Sequence, residues 1–377
     1  MRLVADSGLW STGPTVAGAP AVAVLELSGA VMAWTVDEHV DSGGSVTSTS
    51  PRITFTDVTA AEWLWRVVGE AGHVALLGAL GGGTLDEGRT VDVAGVEPSA
   101  AALAPLRRLA VGHWLRRWWP ASSRDGIVAL DSAVLDGEIA LLTVAAQDFL
   151  GEDALDSDVT DLLRPHWASL ATGAHGADPR VAELVEACTE LAGEVGLPEW
   201  TAQVVPEVDA ARRRADYALA AGSDPARPAA TAIARGVGSV NWTAVPPGLF
   251  DAADGTVDWA IEMAGSAAVA AVRVATAAPA DGISVRLRSG ALSGTGVLDA
   301  AGRATLELTG AEDVPVTETQ AWDHDWPATT VSVGADVDDS AEAADTRERI
   351  RAFARARLAR PGPDAFLAEI LAAESDY

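Results

Sequence analysis

The hydrophobic period of this chain changes along its length, and that change narrows the folds open to it. Between 99 and 195, apolar residues recur every three or four positions. From 257 onward they recur every second position. The first pattern writes one apolar stripe on a helix, and the second writes one apolar face on a strand. A chain that runs helices and strands in separate blocks reads as α+β. The order predicted is a mixed N-terminal β/α region, a central helical bundle-like region, and a C-terminal antiparallel β-sandwich followed by two helices. The corresponding segments are 1–98 (mixed strand and helix), 99–221 (helical, forming one domain with 1–98), 222–236 (linker), 237–338 (sandwich) and 339–377 (C-terminal helices).

Local signals place the elements. Strands are predicted over 21–27 and 31–36, with a turn between them, and over 52–55. Thr59-Ala60-Ala61-Glu62 has the form of a capping box opening a helix that ends near Gly69 or Gly72. Leu103, Leu106, Ala110, Trp114 and Trp118 form one helical stripe, which Pro120 stops. Asp131 caps the next helix, with Leu135, Ile139, Leu142 and Ala146 on its stripe. Asp178-Pro179 is an N-cap followed by proline at the first helical position. Val181, Leu184, Cys188, Leu191 and Val195 then run along one face. A further helix is expected over 208–221. Alternation predicts strands over 257–263, 269–275, 283–288, 304–308 and 330–333, with Asp299-Ala300-Ala301-Gly302 as a turn. A helix over 340–359 is broken by Pro361-Gly362-Pro363, and Asp364 is expected to cap a last short one.

The chain contains no lysine: all 26 basic residues are arginine, against 54 acidic residues. A P-loop NTPase, a kinase and a pyridoxal enzyme each depend on a lysine, so all three are excluded. The net charge of −28 opposes binding to nucleic acid or to an anionic membrane. That acidity fits a halophilic habitat, but the composition as a whole reads as that of a GC-rich genome. Cys188 is the single cysteine, which rules out an intrachain disulfide or a thiolate zinc cluster. No signal-peptide core precedes Asp6, and no apolar run reaches the length of a membrane span. A soluble cytoplasmic protein without a cofactor is the expectation.

The arginines are clustered. Arg107, Arg108, Arg116 and Arg117 share a helix with Trp114, and Trp118 and Trp119 follow. Arg347, Arg351 and Arg355 belong to a second group near the C-terminus, and Arg212, Arg213 and Arg214 form a third. Arginine pairs bidentately with carboxylates and stacks on indole faces. These helices therefore read either as docking surfaces for an acidic partner or as helices whose arginines pair with the chain's own carboxylates. Glu138, on an apolar helix, is expected to meet Arg116 or Arg117. Catalytic candidates are His113 and Glu138, polar groups on mostly apolar helices. Asp323, His324 and Asp325 bring metal-ligand types together between Trp322 and Trp326, but a strand would divide them between two faces. HExxH is absent.

The function these features point to is a non-enzymatic binding or scaffold subunit of a cytoplasmic protein assembly, working through Trp/Arg-rich helical surfaces. Its partner would be another protein or a second copy of the chain. The alternatives are a hydrolase-type enzyme with a non-local carboxylate/His site, and a ligand-binding protein using exposed Trp322 and Trp326 of the sandwich.

Overall fold

The computed structural model describes residues 1–37, 50–81, 86–155, 157–173, 178–197, 232–337 and 341–375. The chain is α+β and divides into two compact units. The first comprises Met1–Trp119, Val128–Gln203 and Glu342–Tyr377, and the second Pro120–Ile127 and Val204–Ala341.

The first unit opens with β1 (Arg2–Asp6), β2 (Leu9–Thr12), β3 (Val22–Leu27), β4 (Ala30–Thr35), β5 (Arg52–Phe55) and β6 (Thr90–Asp92). They form one antiparallel sheet in the order β3-β4-β5-β2-β1-β6. Alternation sends Leu3, Leu25, Met32, Trp34, Ile53 and Phe55 to a buried face. The capping box expected at Thr59 does not form. Asp57 Oδ1 instead accepts from the Thr59 amide at 2.9 Å and its hydroxyl at 2.6 Å. A short 3₁₀ turn, Glu62–Leu64, then leads into α1 (Trp65–Val68). Gly69, at φ +76°, turns the chain into α2 (Glu70–Leu80), so the single helix expected here is two.

Three longer helices follow: α3 (Ala100–Trp118), α4 (Ser132–Leu150) and, after the short α5 (Val159–Leu163) and α6 (Trp167–Gly173), α7 (Pro179–Glu194), with α4 and α7 at their predicted caps. Ser99 caps α3, Asp131 accepts from two amides at the head of α4, and Asp178 caps α7. Helix α3 packs on β3, and α4 packs between α3 and α7. The helix expected over 208–221, and with it Arg212, Arg213 and Arg214, lies outside the described residues.

The second unit is a two-sheet antiparallel sandwich. Its strands are β7 (Ala234–Gly238), β8 (Val257–Ala264), β9 (Ala267–Val274), β10 (Ser284–Ser289), β11 (Leu292–Val297), β12 (Arg303–Glu307) and, after α8 (Glu318–Asp323), β13 (Thr330–Val333). The sheets run β11-β10-β13 and β12-β9-β8-β7. They share a core that includes Val257, Trp259, Ile261, Val272, Leu287 and Leu306.

Five strands escaped the sequence reading: β1, β2 and β6 in the first unit, and β7 and β11 in the second. Strand β7 begins inside the segment read as linker, because Ala-Arg-Gly-Val-Gly has linker composition. Strand β11 carries Gly294 and Gly296 where apolar side chains were sought. A Cβ on Gly296 would lie 2.7 Å from Leu306 Cδ2, so the glycines admit β12 against β11.

Pro120–Ile127 joins the second unit through Asp251. Its Oδ2 accepts from the Ser123 amide and hydroxyl, both at 3.0 Å, and Oδ1 accepts from the Ala253 amide at 2.9 Å. Arg124 donates to the carbonyls of Asp254 and Gly255. Burial raises the pKa of Asp251, but hydrogen bonds from Ser122, Ala253, Ser123 and Arg124 outweigh burial and hold it below the usual range.

The chain ends with α9 (Ala341–Ala359) and α10 (Leu367–Ser375), which belong to the first unit. Phe366, just before α10, reaches α3 at Gly112. A Cβ there would sit 2.8 Å from Phe366 Cζ and 2.9 Å from Ile139 Cγ1. Glycine is what lets α3, α4 and the start of α10 meet at one point. Phe353 of α9 packs edge-on against Trp114, whose indole N–H donates to the Pro20 carbonyl at 2.6 Å.

Candidate functional site

Among the described residues, most of the clustered arginines face this chain's own carboxylates. At the meeting point of α3, α4, α9 and α10, three arginines and three acids form a neutral network. Glu369 is fully buried and takes a bidentate grip from Arg357, Nε at 2.5 Å and Nη2 at 2.7 Å. Asp364 lies 3.5 Å from Arg357 and 3.8 Å from Arg107. Arg108 donates to Glu138 at 3.2 Å and stacks over the Phe366 ring. Burial alone would depress the pKa of Arg357, but its bonds to Glu369 and Asp364 reverse this and raise it.

The contact expected between Glu138 and Arg116 or Arg117 is therefore made to Arg108. Residues two apart on a helix point about 200° apart, so Asp136 and Glu138 leave α4 on opposite sides. Asp136 takes Arg116, which donates to it from Nε at 3.2 Å. Glu138 also accepts from the Leu367 amide at 2.5 Å, and Glu369 accepts from the Phe366 amide at 2.9 Å. The first amides of α10 are thus satisfied by two glutamates, while the expected cap, Asp364, is engaged with arginines. Burial raises the pKa of Glu138 against the opposing pull of Leu367 and Arg108.

The remaining arginine-helix residues are also engaged. Arg117 stacks on Trp118, and Trp119 donates to the Val128 carbonyl. Arg351 and Arg355 share Glu348, Arg349 bonds Asp37 at 2.6 Å, and Arg347 and Arg351 are buried.

The catalytic candidates His113 and Glu138 do not form one site. His113 Nε2 is buried without a hydrogen bond, and burial, helped by Arg116, lowers its pKa. Its acidic neighbour is Asp136, which is buried and bonds His166 Nε2 at 2.9 Å. Asp136 and His166 gave no sequence signal, since they stand 30 positions apart.

Trp322 lies on α8, which begins in a capping box of Thr317 and Gln320, and His324 follows its end. His324 Nε2 bonds Ser289 Oγ at 2.8 Å, and its ring meets Trp326 edge-on. Ser289 is only 1% exposed and also holds Thr329, so this Ser–His pair is closed to an outside substrate. Among the described residues, no three His, Cys, Asp or Glu side chains are placed to hold a metal ion, Asp323, His324 and Asp325 included. Trp326 is buried and donates to the Ala321 carbonyl, whereas Trp322 is 54% exposed.

One arginine group missed in the sequence lies on the outer face of the β12-β9-β8-β7 sheet. An open groove of about 550 Å³ runs over it. Register places Arg303 opposite Arg273, Arg273 opposite Asp258, and Asp258 opposite Val237. In the next row stand Thr305, Ala271, Ala260 and Arg235. The floor is therefore small and apolar, with arginines at its edges. Among the described residues, Arg235, Arg273 and Arg303 make no ion pair, hydrogen bond or ring contact through their side chains. Three strands supply them, so sequence spacing does not reveal the group.

Comparison with protein-family models, with curated proteins and with solved structures found no match to this chain. Among the described residues, no helix is long and apolar enough to cross a membrane.

Proposed function

We propose that this protein is a non-enzymatic binding subunit of a cytoplasmic protein assembly, and that its recognition surface is the outer face of the four-stranded sheet. The observation that carries the reading is the contrast between two sets of arginines. Those of α3 and α9 are engaged within the first unit, whereas Arg235, Arg273 and Arg303 stand exposed beside an open groove. Arginine over an accessible, partly apolar floor is the composition of interface hot spots. Selection of random twelve-residue peptides on the immobilised full chain tests this. Enriched binders should be lost on a variant whose groove is filled, Ala260→Trp with Ala271→Trp. Binders that persist on the filled variant would remove this face as the recognition surface.

A second reading rests on Trp322, whose exposed indole suits stacking on a flat ligand. The burial of Trp326 takes away the partner that a two-tryptophan clamp would need.

A further inference from the structure

We infer that the groove on the β12-β9-β8-β7 sheet binds an acidic segment of a partner protein in extended conformation, its carboxylates held by Arg235, Arg273 and Arg303. This rests on the binding reading above and names the chemistry of the ligand.

Three observations carry it. First, Arg273 and Arg303 are directly opposite on neighbouring strands. Like charges in that position are destabilising in a sheet. An anion between them converts the repulsion into a two-pronged grip, since a guanidinium matches a carboxylate bidentately. Asp258 flanks Arg273 on its other side without pairing with it, so the guanidinium remains available.

Second, the third arginine stands at a distance that suits an extended chain. Arg235 lies two strands and two residues away from Arg273 in register, which is about 12 Å between backbones by strand spacing and rise. An extended peptide advances about 3.3 Å per residue, so acids four residues apart span about 13 Å. The side chains between them pass over Ala271 and Ala260, a floor that accepts small apolar groups.

Third, the face is mixed in sign. Asp258 and Glu262 also line the groove. A polyanion with evenly spaced phosphates would meet these acids, and the chain's net charge of −28 adds to the repulsion. A peptide can set its carboxylates opposite the arginines alone and place a neutral or donor group at Asp258.

The peptide selection decides this as well when the winning sequences are read. Acidic sequences should be enriched. Synthesised with a fluorescent label, they should bind the full chain at least tenfold more tightly than their Glu→Gln and Asp→Asn analogues, and more weakly as salt rises. The double variant R273Q/R303Q should weaken them at least tenfold and R235Q severalfold, while R360Q leaves them unchanged. All four arginines are exposed, so circular dichroism of each variant should match the wild type. Enrichment of neutral or basic peptides that the groove-filling variant abolishes would overturn the acidic ligand while leaving a binding surface. Failure to enrich any peptide would overturn both. Displacement of the labelled peptide by a twelve-nucleotide oligothymidylate at equal concentration would overturn it in favour of a general polyanion site.

Discussion

Replacing Glu369 tests how the C-terminal helices are held. This carboxylate is fully buried and receives two bonds from Arg357, at 2.5 and 2.7 Å, and one from the Phe366 amide at 2.9 Å. In E369Q one acceptor survives, but the amide NH₂ points a donor at a guanidinium. Arg357 is left with Asp364 at 3.5 Å as its counter-charge. Removing one partner of a buried pair costs about 3–5 kcal/mol. The remaining Asp364 places E369Q at the lower end, about 3 kcal/mol. R357M strands a carboxylate with no exposure and should reach the upper end. The double variant R357M/E369L removes both charges together, and apolar replacement of a buried pair is often close to neutral. It should therefore lose far less than R357M and E369L added together. Urea unfolding followed by far-ultraviolet circular dichroism reads this through the helices of the first unit. A loss below about 1 kcal/mol in E369Q, or a double variant equal to the sum of the singles, would refute the idea that these helices depend on a buried, matched pair.

Three further outcomes are expected. Gly112→Ala should cost about 1–2 kcal/mol in the same assay, as overpacking against Phe366 and Ile139 outweighs the gain in helix propensity, and Phe366→Leu should recover part of that loss; an unchanged or raised midpoint would contradict the close approach. Asp251→Ala should cost about 2–4 kcal/mol by losing charge-assisted hydrogen bonds. Because the folded pKa of Asp251 is depressed, its contribution is present above the unfolded value of about 3.9 and fades as pH falls through the folded value, so wild type and variant should converge in acid; a gap that stays constant down to the acid limb would count against it. Asp178, gripped by Arg180, should titrate at about 2 by carbon-detected NMR and return towards the ordinary carboxylate range in Arg180→Met; no movement in that variant would refute Arg180 as the cause.

What was legible in the sequence was what repeats locally. The caps at Asp131 and Asp178 and the alternation at β8 to β10 depend on neighbours a few positions away, and local chemistry decided them. Strands β7 and β11 were illegible because their glycines make room for side chains of other strands, Trp259 at β7 and Leu306 at β11. The pairing of Glu138 with Arg108 was also missed. Four helices set it, and the rival acid Asp136 stands two residues away on the other side of α4. The groove arginines come one from each of β7, β9 and β12, so only register assembles them. The arginine clusters of α3 and α9, visible in the sequence, proved to be heavily paired, since a helix that must bury arginines needs acids brought to it from elsewhere in the chain.

The first unit is assembled from three separate stretches of chain. A ribosome releases Arg107, Arg108 and Glu138 long before Arg357, Asp364 and Glu369 exist. At about 5–20 residues per second, the interval is roughly ten to forty seconds. Throughout that time Gly112 and Ile139 border an unfilled slot, and the arginines of α3 stay hydrated. Phe366 is made long after α3 and α4, and it closes the slot. For a nascent chain, synthesis of α10 is therefore a folding step for α3 and α4, and truncation before residue 366 leaves these two helices without their seal.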